Sequence, residues 1–133
     1  MGVIRGMHFN RNLPQAQLLT LVCGNIFDVV IDIRPNSKTF GSWFGIELSD
    51  NGIRQIYMPD GFAHGFCVLS EFADLHYQVT QKYESNNEGG IAWDDQTIGV
   101  KWPVACPIIS EKDSKNIDFN KFRNSINRFH LLK

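Results

Sequence analysis

The side chains of this sequence best suited to moving a proton near neutral pH are its histidines, aspartates and tyrosines. His8 lies in "RGMHF", His64 in "GFAHGF", His76 in "LHYQVT", and His130 close to the last residue. A histidine that works as a base needs a carboxylate on its other ring nitrogen to fix its tautomer. Asp28, Asp32, Asp94, Asp95 and Asp113 are candidates for that role, and spacing does not choose among them, because strands pair across long distances. Tyr57, Tyr77 or Tyr83 could return a proton as a general acid if its phenol is buried near positive charge. A single histidine in a β core is more often a packed, hydrogen-bonded residue than a catalyst, and His130 is expected to be inert. No His-x-His pair occurs, nor a His-x₃-His pair followed by glutamate, so a catalytic metal is not expected and His8 reads as an acid or base rather than a ligand.

The elements that must position these groups are mostly strands. In "IFDVVIDIR", Phe27, Val29, Ile31 and Ile33 share one face, while Asp28, Val30, Asp32 and Arg34 share the other. "PNSKTFG" supplies turn chemistry, and "SWFGIEL" reads as the next strand. The Asn51-Gly52 pair in "SDNG" predicts a hairpin that returns "IRQIYM" as the partner of "SWFGIEL". "PDGFAHG" interrupts the pattern and "FCVLSEFADLHYQVT" resumes it. Short strands with turns between them argue for an all-β barrel or sandwich of jelly-roll type. Near the end the period changes: Phe119, Phe122, Ile126 and Phe129 recur at helical spacing, with Ser114 or Asp118 as cap. The 133 residues are read as a single domain, a barrel over about 1–113 and a helical tail over 114–133.

Composition narrows the function class. Hydrophobic residues make up 43% and charged residues 20%, ordinary for a folded domain, and the net charge of −1 offers no field for nucleic acid. No apolar run reaches the ~20 residues that span a bilayer, and the start lacks the regions of a signal peptide. Cys23, Cys67 and Cys106, odd in number and far apart, read as reduced, buried thiols of a cytoplasmic protein.

Eight segments, "VIRGMHF", "GNIFDVVIDIR", "SKTFGSWFGIELS", "RQIYMPDGFAHGF", "LHYQVT", "GGIAWDD", "IGVKWP" and "ISEKD", occur in an order and spacing that resembles the dTDP-4-dehydrorhamnose 3,5-epimerases over nearly all of residues 3–113. The resemblance implies a cupin-like jelly roll, usually a homodimer, that binds a dTDP-linked sugar and uses no organic cofactor or metal. It implies that a 4-keto-6-deoxy sugar loses and regains protons at C3 and C5. By the same resemblance His8 is the base, Asp113 the carboxylate that orients it, and Tyr77 the acid on the opposite face. Arg5 matches an arginine of the sugar and phosphate site, and Asp28 and His64 match residues of the same cavity.

The chain departs from that pattern in three places. The family carries a further segment before "RGxHF" that supplies early strands, part of the dimer contact and nucleotide contacts; this chain either begins late or is a shortened member. Gln17 stands where the family usually has a lysine thought to stabilise the enolate oxygen, and Lys82 stands where it usually has a second tyrosine. Lys82 is expected to supply the cation missing at Gln17. Besides an epimerase, the sequence admits a non-catalytic sugar-nucleotide-binding or assembly protein on the same fold, and a ketoisomerase using the same base.

Overall fold

The computed structural model describes residues 1–126 except Pro14 and Tyr83. Its strands are β1 (Val3–Asn10), β2 (Gln17–Asp32), β3 (Trp43–Ser49), β4 (Gln55–Met58), β5 (Phe62–Val79), β6 (Glu88–Gly90) and β7 (Ile108–Ile109), followed by one helix, α1 (Phe119–Ser125). They form one sheet in the order β3-β2-β5-β1-β6, with β4 also on β2 and β7 on β1. β2 and β5 are its spine, antiparallel from Gln17 opposite Val79 to Asp32 opposite Phe62.

Two apolar clusters hold the sheet. Val29, Ile31 and Ile33, from the face expected to be apolar, pack with Met7, Phe9, Ile91, Phe119 and Phe122. Leu19, Leu21, Ile26, Leu48 and Met58 form the second cluster, against which Phe66 and Val30 pack. Strict alternation would separate Leu19 and Leu21 from Ile26. The register of β2 against β5 slips twice, between Leu21 and Cys23 and between Gly24 and Ile26, which returns all three to one side. Gly24 takes φ 91°, and an added Cβ there would lie 2.3 Å from the Phe72 carbonyl oxygen.

The expected hairpin is not formed. β3 pairs with β2 over Asn25–Ile31 and β4 pairs with β2 over Gln17–Thr20, so the two run end to end along one edge instead of facing each other. The reason is the length of β2: 16 residues offer two partners' worth of edge. The Asn51-Gly52 turn still closes locally, with Ser49 N donating to Ile53 O at 2.9 Å, and Asp50 reaches back to accept from Gly24 N at 2.9 Å.

In the tail, Asp118 rather than Ser114 is the cap. Asp113–Lys115 forms a 3₁₀ turn, and α1 begins only after Asp118, whose side chain caps it by accepting from Lys121 N. Phe119, Phe122 and Ile126 are buried as their spacing requires, and Phe122 meets Phe9 edge-on at 5.0 Å. Phe129 and His130 lie outside the described residues. Asp95, a candidate partner for a histidine, instead accepts from Phe119 N at 2.7 Å and from Thr97 N and Ile98 N, so it ties helix to loop. Of the cysteines expected to be buried, Cys67 is, Cys23 is half-buried, and Cys106 is exposed.

Asp32 is a structural anchor. Its buried carboxylate accepts from Arg34 Nε and a terminal guanidinium nitrogen at 2.9 and 2.8 Å, and from the Ser37 and Thr39 hydroxyls at 2.6 Å each. Burial alone would push Asp32 up, but the Arg34 guanidinium, the two hydroxyls and the Arg34 amide together hold it well below the usual carboxylate range. A depressed folded value stabilises above the unfolded carboxylate value and loses that contribution as pH falls below it. Asp32→Asn should therefore cost roughly 2–3 kcal/mol at pH 7 and leave a shallower loss of melting temperature between pH 5 and 3 than in the parent, both read by thermal melts across that range.

Candidate active site

The site starts from a bulge in β1. Arg5 and His8 are three residues apart and would point to opposite faces of a regular strand. The register against β5 slips between them: Arg5 lies opposite Phe66 and His8 opposite His64. The slip turns both side chains into the same cavity. Gly6 makes it possible, with φ 128° and a backbone so close to β5 that an added Cβ would sit 2.5 Å from Gly65 Cα. Across the sheet this gives two rows, Arg5·Phe66·Asp28 and His8·His64·Val30. The cavity measures about 410 Å³, within the range of small-molecule sites, and Arg5, His8, Gln17, His64, Tyr77 and Glu88 all contribute to its wall.

His8 is bracketed by two carboxylates. Its Nε2 lies 2.6 Å from Asp113 Oδ1, and its Nδ1 lies 3.3 Å from Glu88 Oε1. Asp113 is buried in the 3₁₀ turn, where its second oxygen accepts from Gly6 N at 3.4 Å. A carboxylate only accepts, so Asp113 fixes the proton on Nε2 and leaves Nδ1, which faces the wall residue Glu88, to take another. A proton taken there faces Glu88, whose other oxygen pairs with Lys112 at 2.5 Å. Glu88 did not stand out in the sequence. The available sign was the Gly89-Gly90 pair after it, which lets β6 lie close against β1: an added Cβ at Gly89 would meet the Phe9 ring.

A second histidine–carboxylate pair lies alongside. His64 Nε2 is 2.7 Å from Asp28 Oδ2, with both residues buried, and Asp28 Oδ1 has no hydrogen-bond partner among the described residues. Tyr77 meets the His64 ring edge-on at 6.1 Å. Burial, and then the negative charge of Asp28, push the Tyr77 phenol up from its ordinary value, although 38% of the residue is open at the cavity. Its hydroxyl therefore carries its proton throughout the neutral range and can donate it. Gln17 lines the wall beside Tyr77 and Val79. Lys82 is exposed and is not among the residues of that wall. Asp94 and Tyr57 are exposed.

Comparison with known proteins decides the family. The sequence model of dTDP-4-dehydrorhamnose 3,5-epimerase matches residues 1–121. The chain belongs to that family. The dTDP-4-dehydrorhamnose 3,5-epimerase of Methanothermobacter thermautotrophicus is 47% identical over 115 residues, which cover 84% of this chain and 62% of the relative. The fold is that of the same epimerases, cupin-like and mostly β. A Streptomyces spheroides structure described as a 4-keto-6-deoxy sugar epimerase superposes with a TM-score of 0.91 at 34% identity, covering 99% of this chain and 65% of its own. A Legionella pneumophila dTDP-6-deoxy-D-glucose-3,5-epimerase, solved with dTDP-4-keto-L-rhamnose, gives 0.86 at 40% identity over 90% of this chain and 64% of that one. The chain thus spans a little under two thirds of the length of these epimerases.

Proposed function

We propose that this chain inverts C3, C5 or both of a nucleoside-diphosphate 4-keto-6-deoxy sugar, as a step in deoxysugar synthesis of the dTDP-rhamnose type. The observation that supports this most directly is His8, held between Asp113 and Glu88 on the wall of a cavity sized for a small molecule. The C4 ketone acidifies the neighbouring C–H bonds. His8 Nδ1 takes the proton, the C–H electron pair forms an enolate with its charge on the C4 oxygen, and a proton returned to the other face inverts the carbon. Tyr77, neutral and at the same wall, is the donor for that return. Arg5 makes no ion pair among the described residues, and its guanidinium serves the diphosphate. His64 and Asp28 shape the sugar subsite, and Gln17 contributes a neutral hydrogen bond where a cation would stabilise the enolate more strongly. The keto group itself supplies the acidity, so the reaction draws on no organic cofactor or metal.

The working unit in this reading is a homodimer in the cytoplasm, where nucleotide sugars are made, and its product feeds cell-surface polysaccharide. Among the described residues β5 beyond Glu71 has no strand on the side away from β2, and Phe72 and Val79 are exposed there. An open, apolar edge of this kind favours a second chain. No helix among the described residues is long and apolar enough to cross a membrane.

Incubation with dTDP-4-keto-6-deoxyglucose in deuterated water tests the proposal. Label at C3 or C5, read by NMR or mass spectrometry, is the expected result. Tight binding without label would make the chain a sugar-nucleotide-binding protein, a reading favoured by the neutral Gln17 on the wall. A 3-keto product would make it a ketoisomerase.

A further inference from the structure

The bulge that aims His8 is gripped from the C-terminal side at both ends of one residue. Gly6 N donates to Asp113 Oδ2 at 3.4 Å, and Gly6 O accepts from Asn116 Nδ2 at 3.1 Å. Asn116 closes the same 3₁₀ turn that carries Asp113, and its backbone N–H donates to Asp113 O at 3.2 Å. Its amide lies over Gly90, directly opposite His8 in the β1–β6 ladder, and so close that a Cβ on Gly90 would stand 2.1 Å from Asn116 Oδ1. The turn and the bulge are therefore joined through Gly6, and two residues later the chain presents His8 to the carboxylate of that turn.

We propose that Asn116 is a positioning residue for the His8–Asp113 pair: by donating to the Gly6 carbonyl it locks the β1 bulge against the Asp113 turn and fixes the geometry of the imidazole–carboxylate contact. Among the described residues the Asn116 side chain hydrogen-bonds Gly6 O rather than the ring or the carboxylate, and it is not among the cavity-wall residues. It acts by holding both backbones that carry them. A backbone carbonyl only accepts, so the Asn116 amide must turn its nitrogen to Gly6 O, and its oxygen faces Gly90. An aspartate of the same shape cannot make that bond and would set a negative charge against the carbonyl.

The proposal concerns the geometry of the pair; that the pair moves a substrate proton rests on the function proposed above. The test therefore has an arm that needs no substrate. In ligand-free protein labelled with ¹⁵N-histidine, the short His8–Asp113 contact should give a low-field imidazole proton. The buried His64–Asp28 pair serves as an internal control. In Asn116→Asp and in Asn116→Ala the His8 signal should move upfield or vanish by exchange, while the His64 signal stays. An unchanged His8 signal in both overturns the proposal. So does a change in Asn116→Asp alone, which would report the added charge rather than the lost donor. So does loss of both histidine signals together, which would mark general unfolding.

The second arm measures turnover of dTDP-4-keto-6-deoxyglucose. Both variants should lower kcat by roughly tenfold to a hundredfold with KM nearly constant, the effect of a misplaced base. In an Asp113→Asn background the same substitutions should lower kcat no further, because the pair they serve is already broken. Independent, multiplying losses would overturn the proposal. If the parent shows no turnover, the functional reading fails and the imidazole signals still decide the role of Asn116.

Discussion

His8→Ala should abolish solvent deuterium uptake into dTDP-4-keto-6-deoxyglucose while leaving dTDP binding in place. The expected loss is large because the cavity wall offers no equivalent base. His64, the other histidine there, is buried, with 9% of its side chain exposed against 30% for His8. Glu88 is engaged by Lys112. A well-placed base contributes roughly 10²–10⁴-fold, so uptake should fall by at least that factor at each carbon the enzyme inverts. Loss at one carbon only would mean that another group serves the second centre, with Tyr77 and His64 the first to examine. The substitution also leaves Asp113 and Glu88 without the imidazole between them, and Asp113 is only 2% exposed. A buried carboxylate without its partner destabilises. The melting temperature should therefore fall as well, and retained dTDP binding is the control that separates a missing base from a lost fold. Uptake that survives unchanged would remove His8 from the mechanism.

The period-two pattern, the strands it marks and the capped apolar helix face were legible because each is a local property of the chain. "IFDVVIDIR" is strand up to Asp32, and its apolar face enters the core as its alternation requires. What escaped a local reading was pairing. Asn51-Gly52 carries the chemistry of a hairpin, yet nothing near it reveals that β2 is long enough to take β3 and β4 in series. Parity escaped for the same reason. Arg5 and His8 share a cavity only because Gly6 lets β1 slip against Gly65, a contact with a residue far along the chain. The partner of His8 could not be chosen from spacing among the aspartates. Resemblance to the epimerases pointed to Asp113, and the structure places it 2.6 Å from the ring. Glu88 and Asn116 escaped altogether, since an acidic residue before two glycines and an asparagine after a lysine look like ordinary surface. Lys82 follows the end of β5 at Val79 and is exposed, so spacing alone did not tell whether it serves the wall lined by Gln17.

Substituting Asp113 with asparagine should stop proton transfer almost as completely as losing the histidine, and with far less damage to the fold. Gly6 N–H is a fixed donor, so whichever atom of residue 113 faces it must accept. An asparagine there keeps one acceptor, its oxygen, which therefore turns to Gly6. Its NH₂ is left facing His8 Nε2, where the carboxylate oxygen had stood at 2.6 Å. A donor opposite Nε2 requires Nε2 to accept, which moves the imidazole proton to Nδ1. Nδ1 is the nitrogen that faces Glu88, and with a proton already on it, it cannot take one from carbon. The side chain keeps its size and both its hydrogen bonds, so the melting temperature should change little, while exchange at C3 and C5 falls by on the order of 10³–10⁴. Asp113→Ala lacks the misdirecting donor and leaves the tautomer free, so the isosteric asparagine should be as inactive as alanine or more so. An asparagine variant that keeps more than about a tenth of the parent's exchange would mean that the tautomer is not set by residue 113, and that the base works through its other nitrogen.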